Sequence, residues 1–206
     1  MTSRAAALRH LKRADPHFHK ATKAHHSSLP EQLIGKRTSA ALFESLVSTV
    51  ISQQLGLAAA NSIFTRVKKA CGNRLTPELV LKIRSSGLRK AGLSGAKIKT
   101  LKSIASAVKD KSVKLLSLKD IPEADAAEQL MRIWGLGPWS VEMFLMFALG
   151  RPDVFSPGDL GLVRAMEAIY SLPKGSSREA LVSIAKKWSP HRTYASLLLW
   201  RTRDPR

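Results

Sequence analysis

In the run GRPDVFSPGDLGLVRAMEAIY, Pro157 and Gly158 bring an aspartate, Asp159, to the mouth of a new helix. Upstream, IWGLGPWS sets Gly135 and Gly137 around Leu136, with Pro138 at a helix start. Glycines permit positive φ and close approach of the backbone to another surface. The backbone N–H groups of such a hairpin, together with the next helix's N-terminus, form an anion-binding nest suited to a phosphate. Each feature also has a plainer reading. Taken alone, Asp159 is an ordinary N-cap, and a GLG turn can simply connect two helices. The competing acid, Asp153, sits in the RPDV turn and is assigned a structural role.

The charge favours the anion-binding reading. The 206 residues carry a formal charge of +19 with a sequence pI near 10.6, a balance that favours a polyanionic partner, nucleic acid before acidic membrane. Glu78 is the only acid between Glu44 and Asp110, while lysines and arginines from Arg66 to Lys109 crowd that interval. A solvated lysine-rich surface would normally carry interleaved acids. A single cysteine, Cys71, excludes an intramolecular disulfide and any four-cysteine zinc or iron-sulfur site, and points to a reducing compartment. No run is long and apolar enough to span a bilayer, and the first residues lack a secretory signal's apolar core, so the expectation is a soluble, intracellular protein.

The elements that must position these residues are helices. Apolar residues recur at helical spacing in Phe43, Leu46, Val47, Val50, Ile51, then in Ile98, Leu101, Ala105, Val108, and in Leu181, Ile184, Ala185, Trp188. No segment has a convincing period of two. Thr76, Ser94, Ser176 or Ser177, and Ser189 read as N-caps, and Pro16 should close the first helix. The stretch ending near Ile133, the glycine turn and the helix from Pro138 read as helix, hairpin, helix. That last helix is apolar on every face through Val141, Met143, Phe144, Leu145, Met146, Phe147 and Leu149, which predicts burial. The adjacent His25 and His26 read as a solvated turn, since no third ligand stands at helical spacing. The fold class is all-α, with many short helices.

Four stretches in order, VISQQLGLAAANSI from Val50, GLSGAKIKTL from Gly92, the hairpin-to-aspartate segment, and KWSPHRTYASLLLW ending at Trp200, resemble the helix-hairpin-helix DNA glycosylases, and within them the 3-methyladenine DNA glycosylase II group. The resemblance covers nearly the whole chain from about Phe43. It implies a single two-lobed domain over 1–206: one lobe from about 1–38 plus 140–206, the other about 39–139 with the hairpin at 133–138, and an active-site cleft between them. It implies a monomer acting on double-stranded DNA that contains alkylated bases, in base excision repair, in a nucleus or a bacterial cytoplasm.

By the same resemblance Asp159 is the catalytic carboxylate. Breaking an N-glycosidic bond builds positive charge on the sugar, which a positioned carboxylate stabilises while it orients or deprotonates water. Members that also cleave the backbone carry a lysine nucleophile two residues beyond the hairpin's second glycine. Trp139 stands there in this chain, which implies a monofunctional enzyme that leaves an abasic site. Gln54 and Leu55 become the plug and wedge that fill the stack when a base is flipped, although Leu55 can also simply staple a helix junction. Gly56 stands where relatives often present a larger polar or histidine side chain.

Trp139 and Trp200 are the aromatic pocket candidates, with Met143 and Leu160 where larger relatives carry tyrosines, and Phe43 behind them. An aromatic face attracts a cationic alkylpurine by ~0.5–2 kcal/mol. Trp200 has a core reading beside this one, and Trp134 and Trp188 are left to packing. Phosphate contacts are expected from the amides of Gly135 and Gly137, from Ser140, and from Lys97 or Lys99. Arg164 faces either DNA or the helix of Asp159. No cofactor is implied beyond a structural Na+ or K+ at the hairpin backbone of Ile133 and Gly135. The rival readings are a non-catalytic helix-hairpin-helix DNA-binding protein and a glycosylase for deaminated or ethenoadenine lesions.

Overall fold

The computed structural model describes residues 3–36 and 38–203. In chain order the helices are α1 (Arg4–Ala14), α2 (Pro16–Ala21), α3 (Ser39–Ser52), α4 (Leu57–Ala70), α5 (Pro77–Lys82), α6 (Ser85–Lys90), α7 (Gly95–Lys109), α8 (Glu123–Met131), α9 (Pro138–Met143), α10 (Leu160–Ile169), α11 (Arg178–Ala185) and α12 (Arg192–Arg203). Among the described residues there is no strand, only an isolated bridge between Ser3 and Gln32. No helix among them is long and apolar enough to cross a membrane.

Local chemistry explains most boundaries. Thr76, Ser94 and Ser177 each accept a backbone N–H in the first turn of the following helix, which satisfies a donor that has no partner within the helix. Asp15 ends α1 and caps α2, where Pro16 occupies the first turn. Ser189 departs from expectation. α12 begins only at Arg192, and the Ser189 hydroxyl donates instead to Asp153 Oδ2 at 2.7 Å.

The chain divides into two compact units, Met1–Gly35 with Gly150–Arg206, and Lys36–Leu149. The boundary follows the apolar helix, whereas the sequence reading placed it within that helix's first turn, at residue 140. The physical reason is packing: α9 and the π-helical turn Phe144–Ala148 that continues it lie against α3. Both belong to the second unit.

In the first unit Leu11, Phe18, Leu162, Met166, Trp188, Tyr194 and Leu198 are fully buried, each side chain contributing about 1.5–3 kcal/mol. Asp15 is buried among them and accepts from the Tyr170 hydroxyl at 2.6 Å and from Trp188 Nε1 at 3.2 Å. Burial, then the hydrogen bond to Asp15 and the Asp15 charge, push the Tyr170 hydroxyl pKa up. The packing of α10 against α12 is the frame for Asp159.

In the second unit α3 buries Leu42, Phe43, Leu46, Val47, Val50 and Ile51, and α7 buries Ile98, Leu101, Ile104 and Ala105. The apolar helix buries Val141, Met143, Phe144, Leu145 and Met146 as expected, but Phe147 is 52% exposed. A π turn adds a residue to the helical repeat, so a 3.6-residue pattern does not run through it unchanged.

Candidate active site

Asp159 caps α10, and Oδ1 accepts two uncharged donors, the Leu162 backbone N–H at 3.0 Å and the Trp200 indole N–H at 2.9 Å. The N-cap reading holds, and the cap fixes the carboxylate's direction. Trp200 acts through its N–H on Asp159, a role that pocket-lining alone does not describe. Space for this contact depends on Gly161: a Cβ there would lie 3.1 Å from Asp159 Oδ1 and 3.1 Å from Trp200 Cδ1. The sequence reading missed Gly161. Its signal was a glycine inside the first turn of a helix, where it is intrinsically unfavourable. Leu160 is 68% exposed beside the carboxylate, and Arg164 is exposed on α10.

Asp153 has a different environment. It accepts from Arg192 Nε at 2.8 Å, Arg192 Nη2 at 3.0 Å, the Arg192 backbone N–H at 3.2 Å and the Ser189 hydroxyl. Burial pushes its pKa up, but the Arg192 and Ser189 hydrogen bonds and the Arg192 charge prevail and hold it below the usual carboxylate range. It fastens the start of α12, the helix that carries Trp200.

Trp139, Met143 and Phe43 lie in the second unit, Trp139 half-buried and the other two buried. Phe43 is among the largest fully buried side chains, so its ring is core rather than an offered face. The hairpin forms as expected. Leu136 N–H donates to the Ile133 carbonyl at 3.1 Å, and Gly135 adopts φ +86° above buried Thr100, whose side chain any Cβ at Gly135 would strike. Gly137 is different: it caps α9 in extended conformation, and nothing of the chain lies within 4 Å of a Cβ built there.

Two phosphate candidates are engaged inside the unit. The Ser140 side chain is buried and its hydroxyl accepts from Gln53 Nε2 at 2.7 Å. Lys97 donates to the carbonyls of Ile51 at 2.7 Å and Gln53 at 2.8 Å, and burial lowers its pKa. A lysine after a helix-capping serine can point outward or inward, and residue type alone does not distinguish them. Lys99 remains exposed, 4.1 Å above the centroid of the Trp134 ring, and with Arg89 and Lys102 it lines an open groove of about 500 Å³. Trp134 is thus a partly exposed platform, not the packing residue it was read as.

The loop 53–56 leaves α3 in a tight turn. Gln54 is exposed at φ +57°, and the Leu55 N–H donates to the Ser52 carbonyl. Leu55 is partly exposed, and Leu57, unremarked in the sequence, is 77% exposed at the start of α4. Flanking Gly56, the two leucines offer apolar surface from a basic unit.

The family profile described as HhH-GPD superfamily base excision DNA repair protein matches residues 47–191. DNA-3-methyladenine glycosylase 1 of Schizosaccharomyces pombe is 33% identical over 208 residues, covering 98% of this chain and 89% of that protein. YfjP of Bacillus subtilis is 29% identical over 168 residues, 78% of this chain and 58% of that one, so the chain spans little more than half of this longer relative. The structure of S. pombe 3-methyladenine DNA glycosylase (Mag1) in complex with abasic DNA superposes with a TM-score of 0.85, 32% identity and 95% coverage of each chain.

Proposed function

The chain belongs to the HhH-GPD superfamily of base excision DNA repair proteins, and we propose that it is a monofunctional DNA glycosylase that excises alkylated purines of the 3-methyladenine and 7-methylguanine type. The observation that carries this reading is Asp159, a carboxylate fixed at a helix mouth by two uncharged N–H donors on one oxygen. In the reaction the base departs with the electron pair of the N-glycosidic bond and C1′ gains positive charge. A water oxygen bonds to C1′, and its proton passes to the carboxylate or to solvent, leaving an abasic site. Asp159 stabilises the charge and orients the water. An alkylated purine is already cationic and leaves readily, so one carboxylate suffices. With Trp139 at the position of the lyase lysine, the usual amine for a Schiff base is absent.

The second unit supplies base and backbone recognition in this reading. Trp139 offers an aromatic face to a cationic base. Gln54 and Leu55 fill the stack that the flipped base vacates. The Gly135 and Gly137 amides meet phosphate. Gly137 supports this, because its extended backbone and empty surroundings give no internal reason for a glycine, while close approach of a ligand does. Na+ or K+ at the Ile133 and Gly135 carbonyls fits the oxygen donors: each carbonyl has a second lone pair beyond its contact with Leu136 N–H or the Gln53 amide. Such an ion would stiffen the hairpin when bound. The protein would act wherever DNA is kept, in a nucleus or a bacterial cytoplasm.

The test is incubation with methylated duplex DNA and chromatography of the released bases, with Asp159→Asn alongside. Release of 3-methyladenine by the wild type alone is the expected result. Binding to abasic DNA without release of any methylated base would favour a non-catalytic DNA-binding protein. Release confined to hypoxanthine or ethenoadenine substrates would move the activity to those lesions.

A further inference from the structure

We propose that Gln53 and Lys97 form a latch that holds the loop 53–56 in register with the hairpin 133–138, so that gripping the DNA backbone and inserting the Gln54–Leu55 wedge are a single mechanical event. The inference rests on the glycosylase reading above.

The end of a helix leaves carbonyls without partners. At the end of α3 the Ile51 and Gln53 carbonyls are both taken by the Lys97 ammonium, at 2.7 Å and 2.8 Å. A cation is also the favoured charge at a helix C-terminus. With its backbone held from the α7 side, Gln53 sends its side chain to the hairpin, where Nε2 donates to Ser140 Oγ at 2.7 Å and lies 3.5 Å from the Gly135 carbonyl oxygen. One residue is thus fastened at both ends, to α7 through its carbonyl and to the hairpin through its amide.

The same helix supports the hairpin. Thr100, one turn beyond Lys97, is buried directly beneath Gly135. The next residue of the loop, Gln54, is a non-glycine in the left-handed region, a conformation that persists where the surrounding structure over-determines it. Lys97 and Gln53 supply that constraint, and Gln54 and Leu55 follow it outward. A preorganised wedge does not have to be ordered at the moment of flipping, so the latch should matter most where flipping is hardest.

The experiment uses the full chain and its Gln53→Leu, Lys97→Met and Lys97→Arg variants, each checked for an unchanged unfolding transition. Single-turnover excision of 7-methylguanine is compared opposite cytosine and opposite an abasic analogue, where no pairing resists extrusion. Gln53→Leu and Lys97→Met should lower excision opposite cytosine about tenfold and opposite the abasic analogue less than about twofold. Affinity for undamaged duplex should hold within about twofold, and Lys97→Arg, which keeps the donors, should recover most of the loss. Equal losses on both substrates, or none, would overturn the latch.

A second readout does not depend on excision. 2-Aminopurine beside an abasic analogue reports wedge insertion at saturating protein, and its fluorescence change should shrink in Gln53→Leu. If the wild type gives that change without excising any base, the glycosylase reading fails while the latch is still decided. If the change is the same in wild type and Gln53→Leu, the latch fails whatever the activity.

Discussion

Asp153 and Asp159 stand in the same loop of the first unit, Asp153 against the start of α12 and Asp159 capping α10, and their partners differ. Asp153 is engaged on both oxygens by Arg192 and Ser189, with a full positive charge in the set. Asp159 Oδ1 accepts the Leu162 backbone N–H and the Trp200 indole N–H. A carboxylate neutralised by a guanidinium is a fastening. In the glycosylase proposed above, the charge of Asp159 is instead turned on the developing cation. Position in the loop alone does not separate the two aspartates; the Arg192 bracket on Asp153 and the helix cap and indole contact on Asp159 do.

The largest effect should come from Asp159→Asn, which keeps the shape and the cap but removes the charge. Excision of 3-methyladenine should fall at least about 100-fold, within the range for a positioned acid or base, while affinity for abasic DNA stays within a few-fold. Asp153→Asn should leave the excision rate within about twofold. Equal loss in both variants would erase the distinction, and borohydride trapping of a covalent DNA adduct would overturn the monofunctional assignment.

Next in size are the two residues that hold Asp159. Trp200→Phe removes one donor and should cost about tenfold in single-turnover rate, or ~1.4 kcal/mol. Gly161→Ala should cost a similar factor by pressing a methyl group between Asp159 and Trp200. Alanine is a better helix former than glycine by about 1 kcal/mol, so its unfolding temperature should not fall. Lower activity without lower stability marks an orientation effect. A fall in both would make Gly161 a packing residue.

Much of this was legible in sequence. The all-α class, the caps at Thr76, Ser94 and Ser177, the hairpin and the Asp159 position follow from local patterns, and local interactions are what those patterns encode. What escaped depends on residues far apart in the chain. Gly161 matters because of Trp200, which reaches Asp159 across 41 positions, and Gln53 because of Ser140, 87 positions away. Lys97 and Ser140 carried the right chemistry for phosphate but turn inward. Their direction is set by the end of α3 and by the hairpin, neither of which leaves a mark in the neighbouring sequence.

The groove on the second unit gives a smaller effect, confined to binding. Arg89 and Lys102 line it with Lys99. Duplex binding loses about 0.9 in the slope of log affinity against log salt per phosphate contact removed. Arg89→Gln with Lys102→Gln should therefore reduce that slope by about 1–2 and leave the single-turnover rate at saturation unchanged. An unaltered slope would remove the groove from the DNA footprint.

The smallest expected change in activity, and the sharpest contrast with Asp159, is the stability carried by Asp153. Its carboxyl lies below the ordinary 3.8, burial opposing and the Arg192 and Ser189 bonds prevailing. A carboxylate with a lowered folded pKa stabilises the fold above the ordinary value and loses that contribution as pH falls through the lowered one. At neutral pH, Asp153→Asn should destabilise by about 1–2 kcal/mol, as expected for loss of charge-assisted hydrogen bonds. The gap from wild type should close on acidification below about pH 4, as protonation makes the two side chains alike in charge. A gap that persists into acid would mean that geometry at the start of α12, rather than the ion pair with Arg192, is what Asp153 provides. The position of Trp200 against Asp159 would then depend on a neutral bracket.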